Sequence, residues 1–306
     1  MTTTRTALVA VTGATGKQGG ATARRLLAAG HPVRALVRNP AAPAALELDS
    51  LGAELAVADF DDPSTLLPAL AGASALFVVP PTTYRPDGGG PDLELARGRA
   101  LADAAAAAGV RQAVFTGVAS TGGEAFAAPG KRRVEQYLRE RIELVTVLRP
   151  VRFMTNYLGL PGLGLDGFDQ GVHRHIFPPD EPLQIIAPAD IAEFAALAFE
   201  HPDRFAGRTL ELAGDAPTPA EAVAAIVAAT GTPLHYHQLT HTEATALSPQ
   251  IAATRQHWLA GHRWHADIEA LRVIHPGLRT LSDWLAEGGA AALRTRLLDQ
   301  PVPRPS

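Results

Sequence analysis

Residues 13–19 read Gly-Ala-Thr-Gly-Lys-Gln-Gly, directly after an apolar run that ends at Val11-Thr12 and directly before an amphipathic stretch. Three glycines at this spacing, between a strand and a helix, admit few folds. Gly13 turns the chain, Gly16 lets a pyrophosphate approach the backbone, and Gly19 lets helix and strand pack closely. The amides of the first helical turn have no partner inside the helix, so they are free to bind phosphate. Thr15, Lys17 and Gln18 lie on the same loop and are assigned with the glycines to a dinucleotide.

The rest of the first half agrees with that start. Apolar runs at 7–12, 33–37, 54–58, 75–79, 112–116 and 144–148 alternate with helical patterns at 17–29, 43–51, 63–70, 92–108 and 131–141. Six strands and five crossovers predict an α/β fold with a doubly wound parallel sheet, the Rossmann architecture, over 1–150. Residues 151–300 read as a smaller α+β substrate-binding part. Within it the Gly/Pro-rich stretch 159–182 is too irregular for a regular element and is read as a possible lid. Beyond it the pattern predicts a helix at 190–199, a strand at 209–212, a helix at 219–229, a strand at 234–237 and further helix, with a frayed tail at 301–306.

The end of the second strand decides which dinucleotide is expected. NAD sites place a carboxylate about 20 residues after the glycines for the ribose 2′-hydroxyl, and NADP sites use arginine for the 2′-phosphate. Here the strand ends in Arg38-Asn39-Pro40, and no acidic residue precedes Glu47. Ligands bind beyond the carboxyl ends of parallel strands, so Arg38 is placed for the phosphate and Arg34, near the strand's start, is not. NADP(H) is therefore the expected cofactor, with Lys17 as a second cation. Asp59, after the third strand, is placed near the adenine or serves the turn before the next helix. Val79 and Thr116, at the ends of the fourth and fifth strands, complete the expected cofactor contacts.

Composition removes several alternatives. A formal charge of −4 and a pI near 6.3 do not suit a protein that grips nucleic acid by a dense basic face. With no cysteine, disulfides, thiolate catalysis and cysteine-ligated metal centres are excluded. The start Met1-Thr2-Thr3-Thr4-Arg5 lacks the pattern of a secretory signal, and nowhere do 18 apolar residues run together, so a soluble, cytoplasmic, non-membrane protein is expected. Of 27 basic residues only Lys17 and Lys131 are lysine. In a chain so biased toward arginine, a surviving lysine points to a place that needs a compact ammonium, or to chance survival on a solvated face.

These residues resemble the NmrA-like family, an atypical branch of the short-chain dehydrogenases and reductases. The resemblance rests on residues 11–20, on Val37-Arg38-Asn39-Pro40, on Gly130-Lys131 with Val134-Glu135, and on Leu148-Arg149-Pro150 leading to Phe153-Met154-Thr155-Asn156. Ala189-Asp190-Ile191 and Phe205-Ala206-Gly207-Arg208 extend it. It implies NADP(H) binding, Arg38 at the 2′-phosphate and Lys131 near the nicotinamide ribose, and it covers both quinone reductases and cofactor-sensing regulators without enzyme activity. One departure matters. Ordinary short-chain reductases carry a tyrosine four residues before the active lysine, and here that position is Ala127. None of the four tyrosines, Tyr84, Tyr137, Tyr157 and Tyr236, has a lysine four residues later. A proton donor either comes from elsewhere, with Lys131 itself as the catalytic candidate, or is absent. Ser120 and Thr121 are candidates to bond a carbonyl, or serve their own turn.

The substrate cleft is expected over the nicotinamide, between the strand ends and the C-terminal part, lined by Tyr84, Ser120, Phe153, Asn156, Tyr157 and Phe168. His173 and His175 fall in the lid stretch and are read as solvated loop histidines, with substrate contact as the alternative. His235 with His237, and His257 with His262 and His265, show no carboxylate at useful spacing, so no metal is expected. Two functions fit these residues: an NADPH-dependent oxidoreductase acting on a small quinone or conjugated carbonyl, and an NADP(H)-sensing regulator with little turnover. A lyase or isomerase retaining the cofactor pocket is a third. Nothing in the chain indicates its oligomeric state.

Overall fold

A computed structural model describes residues 7–80, 90–122, 128–159 and 165–298. The chain divides into two compact units, one of residues 1–118, 128–150 and 188–210, the other of residues 119–127, 151–187 and 211–306.

In the first unit the elements run β1 (Val9–Val11), α1 (Lys17–Ala28), β2 (Val33–Val37), α2 (Pro43–Ser50), β3 (Glu54–Val57), α3 (Leu66–Leu70), β4 (Ala75–Val78), α4 (Gly90–Ala107), β5 (Gln112–Thr116), α5 (Pro129–Arg141), β6 (Leu144–Pro150) and α6 (Pro188–Glu200). The sheet order is β3-β2-β1-β4-β5-β6, extended beyond β6 by a seventh strand, Thr209–Leu212. Every pair from β3 to β6 is parallel, with Val11 opposite Ala35 and Phe77. β1 and β4 are buried along their whole length, as expected of central strands covered on both faces. Leu76, Leu101 and Leu138 lie fully inside, each contributing roughly 1.5–3 kcal/mol by burial. The six predicted strands and five crossovers are all present, with ends shifted by at most three residues.

The order reverses between β1 and β4, and in such sheets ligands bind at this reversal. Thr12 ties the two strands there. Its amide donates to the Phe77 carbonyl at 3.0 Å, and its buried hydroxyl accepts from the Val79 amide at 2.8 Å.

The boundary at residue 150 needs revision in one respect. α6 lies beyond it yet belongs to the first unit. Nine of its residues are buried, and Glu193 bonds Arg25 of α1 at 2.7 Å, so this helix closes one face of the sheet.

The second unit has its own core, built from Met154, Tyr157, Phe168, Ile185, Val223, Ile226, Leu281, Leu285 and Leu293 among others. Strand Arg152–Phe153 pairs with Ile185–Ile186, and Val172–His175 pairs with His235–Gln238, both parallel. The second of these corrects the sequence reading, because a strand stands inside the stretch 159–182. The histidines read as solvated are its inward residues, 3% exposed for His173 and 7% for His175. His173 Nδ1 lies 2.7 Å from the Gly167 carbonyl oxygen, and His175 Nδ1 accepts from the Ile176 amide at 2.9 Å. Beside them Arg152 and Asp166 form a buried ion pair, and Arg152 Nη1 is 3.3 Å from His175 Nε2.

Candidate cofactor site

The start of α1 is bare. Gly16 occupies the position before the helix in an extended conformation, no side chain caps it, and no acidic residue stands in the first turn. Gly13 has φ +59°, the left-handed region that favours glycine. A Cβ on Gly19 would stand 2.3 Å from the Gly13 carbonyl oxygen, so only glycine allows the helix to come this close to the loop. A Cβ on Gly13 would stand 3.1 Å from Val79 Cβ, which places Val79 against the turn. The Gln18 Oε1 atom is buried with no hydrogen-bond partner. A buried acceptor without a donor, beside helix amides without a cap, fits a ligand that brings both phosphate oxygens and hydroxyls.

Arg38 and Arg34 have the different fates their positions suggest. Arg34 donates to the carbonyls of Ala69 and Ala71 at 3.1 and 2.6 Å and pairs with Glu54 at 3.0 Å, so it fastens β2 to its neighbours. Arg38 is exposed just past the end of β2, and none of the ion pairs among the described residues includes it. Asp59 serves its turn, accepting from the Asp61 amide at 3.0 Å. The cap of the 3₁₀ turn Pro63–Thr65 that leads into α3 is Asp62, which accepts from the Ser64 amide at 3.2 Å. Thr116 is fully buried at the end of β5, its hydroxyl 3.4 Å from the Val78 carbonyl.

Lys131 lies in the first turn of α5, behind a left-handed Ala128 with φ 39° and Pro129. Its ammonium is 2.5 Å from Glu94 Oε1 of α4, and the two side chains are 20% and 11% exposed. Sequence reading missed Glu94. A hint was available in Gly130, where a Cβ would stand 2.3 Å from Glu94 Oε2 and 3.1 Å from the Pro91 backbone. Further along α5, Glu135 receives Arg149 at 2.9 Å, which joins two of the motifs behind the family resemblance in one ion pair.

The residues assigned to substrate are spread over different surroundings. Tyr84 and Ala127 lie outside the described residues. Ser120 Oγ accepts from the Gly122 amide at 3.2 Å, a turn contact, while Thr121 Oγ1 is 3.0 Å from His257 Nε2. Tyr157 and Phe168 are buried in the core of the second unit, their rings 6.5 Å apart. Phe153 and Asn156 are half-buried, and Asn156 Oδ1 has no partner. His237 does have a carboxylate, Glu243, at 2.9 Å, contrary to the spacing argument. No group of three potential ligands that could hold a metal occurs among the described residues.

This geometry has known counterparts. Residues 5–256 match the model of the NmrA-like family. The chain belongs to that family. An NmrA-like family domain-containing oxidoreductase of Cladobotryum sp. is 37% identical over 165 residues, 50% of this chain and 48% of that protein; the chain thus spans about half the length of that relative. A (4-alkanoyl-5-oxo-2,5-dihydrofuran-3-yl)methyl phosphate reductase of Streptomyces griseus subsp. griseus is 33% identical over 237 residues, 76% of this chain and 77% of that one. Among solved structures, NmrA, a negative transcriptional regulator in complex with NADP, has a TM-score of 0.76 at 21% identity, covering 96% of this chain and 99% of its own. The NmrA-like fold is therefore shared by reductases and by a regulator, and the chemistry must be argued from the residues.

Proposed function

We propose that this chain is an NADPH-dependent reductase of conjugated carbonyl compounds. The observation that carries the reading is the start of α1, uncapped and without an acidic residue, followed along the fold by an exposed Arg38 that forms no ion pair among the described residues. A diphosphate with an additional 2′-phosphate is the ligand such an arrangement takes. When bound, the nicotinamide supplies hydride. The amides of residues 17–19 would hold the diphosphate, and the Arg38 guanidinium would bind the 2′-phosphate. Lys131 is the residue assigned to the nicotinamide ribose and to the proton.

The acceptor follows from the acid that the chain lacks. Reduction of a simple ketone places full charge on one oxygen and calls for a strong proton donor, which the usual tyrosine provides. In a conjugated carbonyl, hydride adds to the β-carbon and the charge spreads over an enolate. The α-carbon then takes a proton, from the Lys131 ammonium directly or through water. The Streptomyces relative supports this class, since the ring double bond in its named substrate is conjugated to a carbonyl. A quinone has the same tolerance for weak acid assistance.

The test is NADPH consumption with unsaturated lactones, enones, quinones and simple aldehydes. Turnover is expected on the conjugated acceptors and not on the aldehydes. Tight NADPH binding with no consumption on any acceptor would move the assignment to an NADP(H)-sensing regulator, the reading favoured by Ala127 in place of the tyrosine.

A further inference from the structure

The ion pair between Lys131 and Glu94 is set by helix packing. Glu94 and Gly98 stand one turn apart on α4, and Gly130 and Val134 stand one turn apart on α5. Glu94 fills the space left by Gly130, where a Cβ would be 2.3 Å from its carboxylate. Val134 fills the space left by Gly98, where a Cβ would be 2.3 Å from Val134 Cγ2. Each helix thus offers one glycine to one side chain of the other, and these reciprocal contacts fix the two helices in register. Glu94 is 8% exposed, a burial that a carboxylate sustains when a cation faces it.

Resting on the reductase reading above, we propose that Glu94 is a positioning residue that holds the Lys131 ammonium at one fixed point at the start of α5. An ammonium has three N–H donors on a flexible stem. Directing one of them at Glu94 Oε1, 2.5 Å away, limits where the other two can point, which is what an ammonium at the nicotinamide ribose requires. The same contact accounts for a lysine here in a chain where 25 of 27 cations are arginine. A planar guanidinium facing Glu94 would engage both carboxylate oxygens in its fork and direct its remaining donors elsewhere.

The chain's two lysines make the test direct, because lysine-selective ¹⁵N labelling yields two side-chain signals, Lys17 and Lys131. Full-length wild type, Glu94→Gln and Glu94→Asp are compared, with folding checked by circular dichroism. In wild type the Lys131 ammonium protons are expected to exchange slowly enough to be observed in the cold. Glu94→Gln should abolish that signal and leave Lys17 unchanged. Its kcat should fall by about thirtyfold, with KM for the acceptor and Kd for NADPH within about threefold. Glu94→Asp should recover part of both losses. If Glu94→Gln does not fold, Gly130→Ala, which displaces the carboxylate while keeping both charges, should give the same kinetic split. A Glu94 variant that keeps both the Lys131 signal and wild-type kcat overturns the proposal. Absence of turnover in wild type overturns the reductase reading instead, and the signal still decides the role of Glu94.

Discussion

α1 and α5 begin in similar ways and are finished differently. Each starts without a capping side chain, without an acidic residue in its first turn, and with one of the chain's two lysines in that turn. The first turn of α1 itself carries no carboxylate, and Lys17 is exposed. To α5 the neighbouring helix brings Glu94, which meets Lys131 at 2.5 Å. A helix start attracts an anion when the protein leaves its positive end uncompensated. Where the protein supplies the carboxylate itself, the lysine's charge is matched and its direction is set. On the proposed reading, the first end serves affinity toward phosphates and the second serves geometry at the reacting ring.

The largest effect should come from the α5 end. Lys131→Ala is expected to lower kcat by about a thousandfold, ~4 kcal/mol, with NADPH affinity within about threefold. Lys131→Arg should not restore it. Steady-state kinetics with parallel calorimetry would show this, and a loss of NADPH affinity without loss of kcat would erase the distinction between the two ends.

The second unit sharpens the comparison with charges that are buried and matched internally. Burial holds the His173 pKa down at about 4, and the positive charge of Arg152 adds to the effect; His175 is lowered for the same reasons. In the unfolded chain both return to an ordinary value near 6.5. Between pH 6.5 and 4 the unfolded state takes up protons that the fold refuses. Stability is then fully present above pH 6.5 and is lost as pH falls toward 4, by roughly 3 kcal/mol for His173. Urea unfolding at pH 7 and 4.5 should show the loss, and His173→Phe should reduce its slope. Neither helix start contains a histidine, so an equal slope in that variant would place the acid sensitivity elsewhere.

Gly19→Ala should cost about 2 kcal/mol of stability through the 2.3 Å approach to the Gly13 carbonyl, and weaken NADPH and NADH alike. Thermal unfolding and calorimetry would register both. The smallest effect belongs to Arg38. Its replacement by alanine should weaken NADPH about tenfold, ~1.4 kcal/mol, and leave NADH unchanged. Equal losses for both cofactors would mean that the 2′-phosphate is read elsewhere.

The α1 end was legible in the sequence because its logic is local: glycines, strand and helix are contiguous, and Arg38 lies one strand away. The different placing of Arg34 and Arg38 followed from strand direction alone. The partner of Lys131 was not legible, since Glu94 lies 37 residues away and meets it only through the packing of two helices. Strand Val172–His175 was hidden because its inward residues are histidines, which carry no apolar alternation, and because glycines and prolines surround it. The assignment of α6 to the second part failed for a similar reason, as no local signal tells which sheet face a buried apolar helix will cover.

Hydride transfer to a conjugated acceptor can be followed atom by atom with deuterium. Wild-type protein is incubated with NADPH deuterated at the nicotinamide C4 position and an unsaturated lactone bearing an acyl group, and the product is read by NMR. The expected product is a saturated lactone with deuterium on the β-carbon and an ordinary solvent proton on the α-carbon. Deuterium on a carbonyl carbon, or no transfer to any conjugated acceptor while NADPH remains bound, would contradict it.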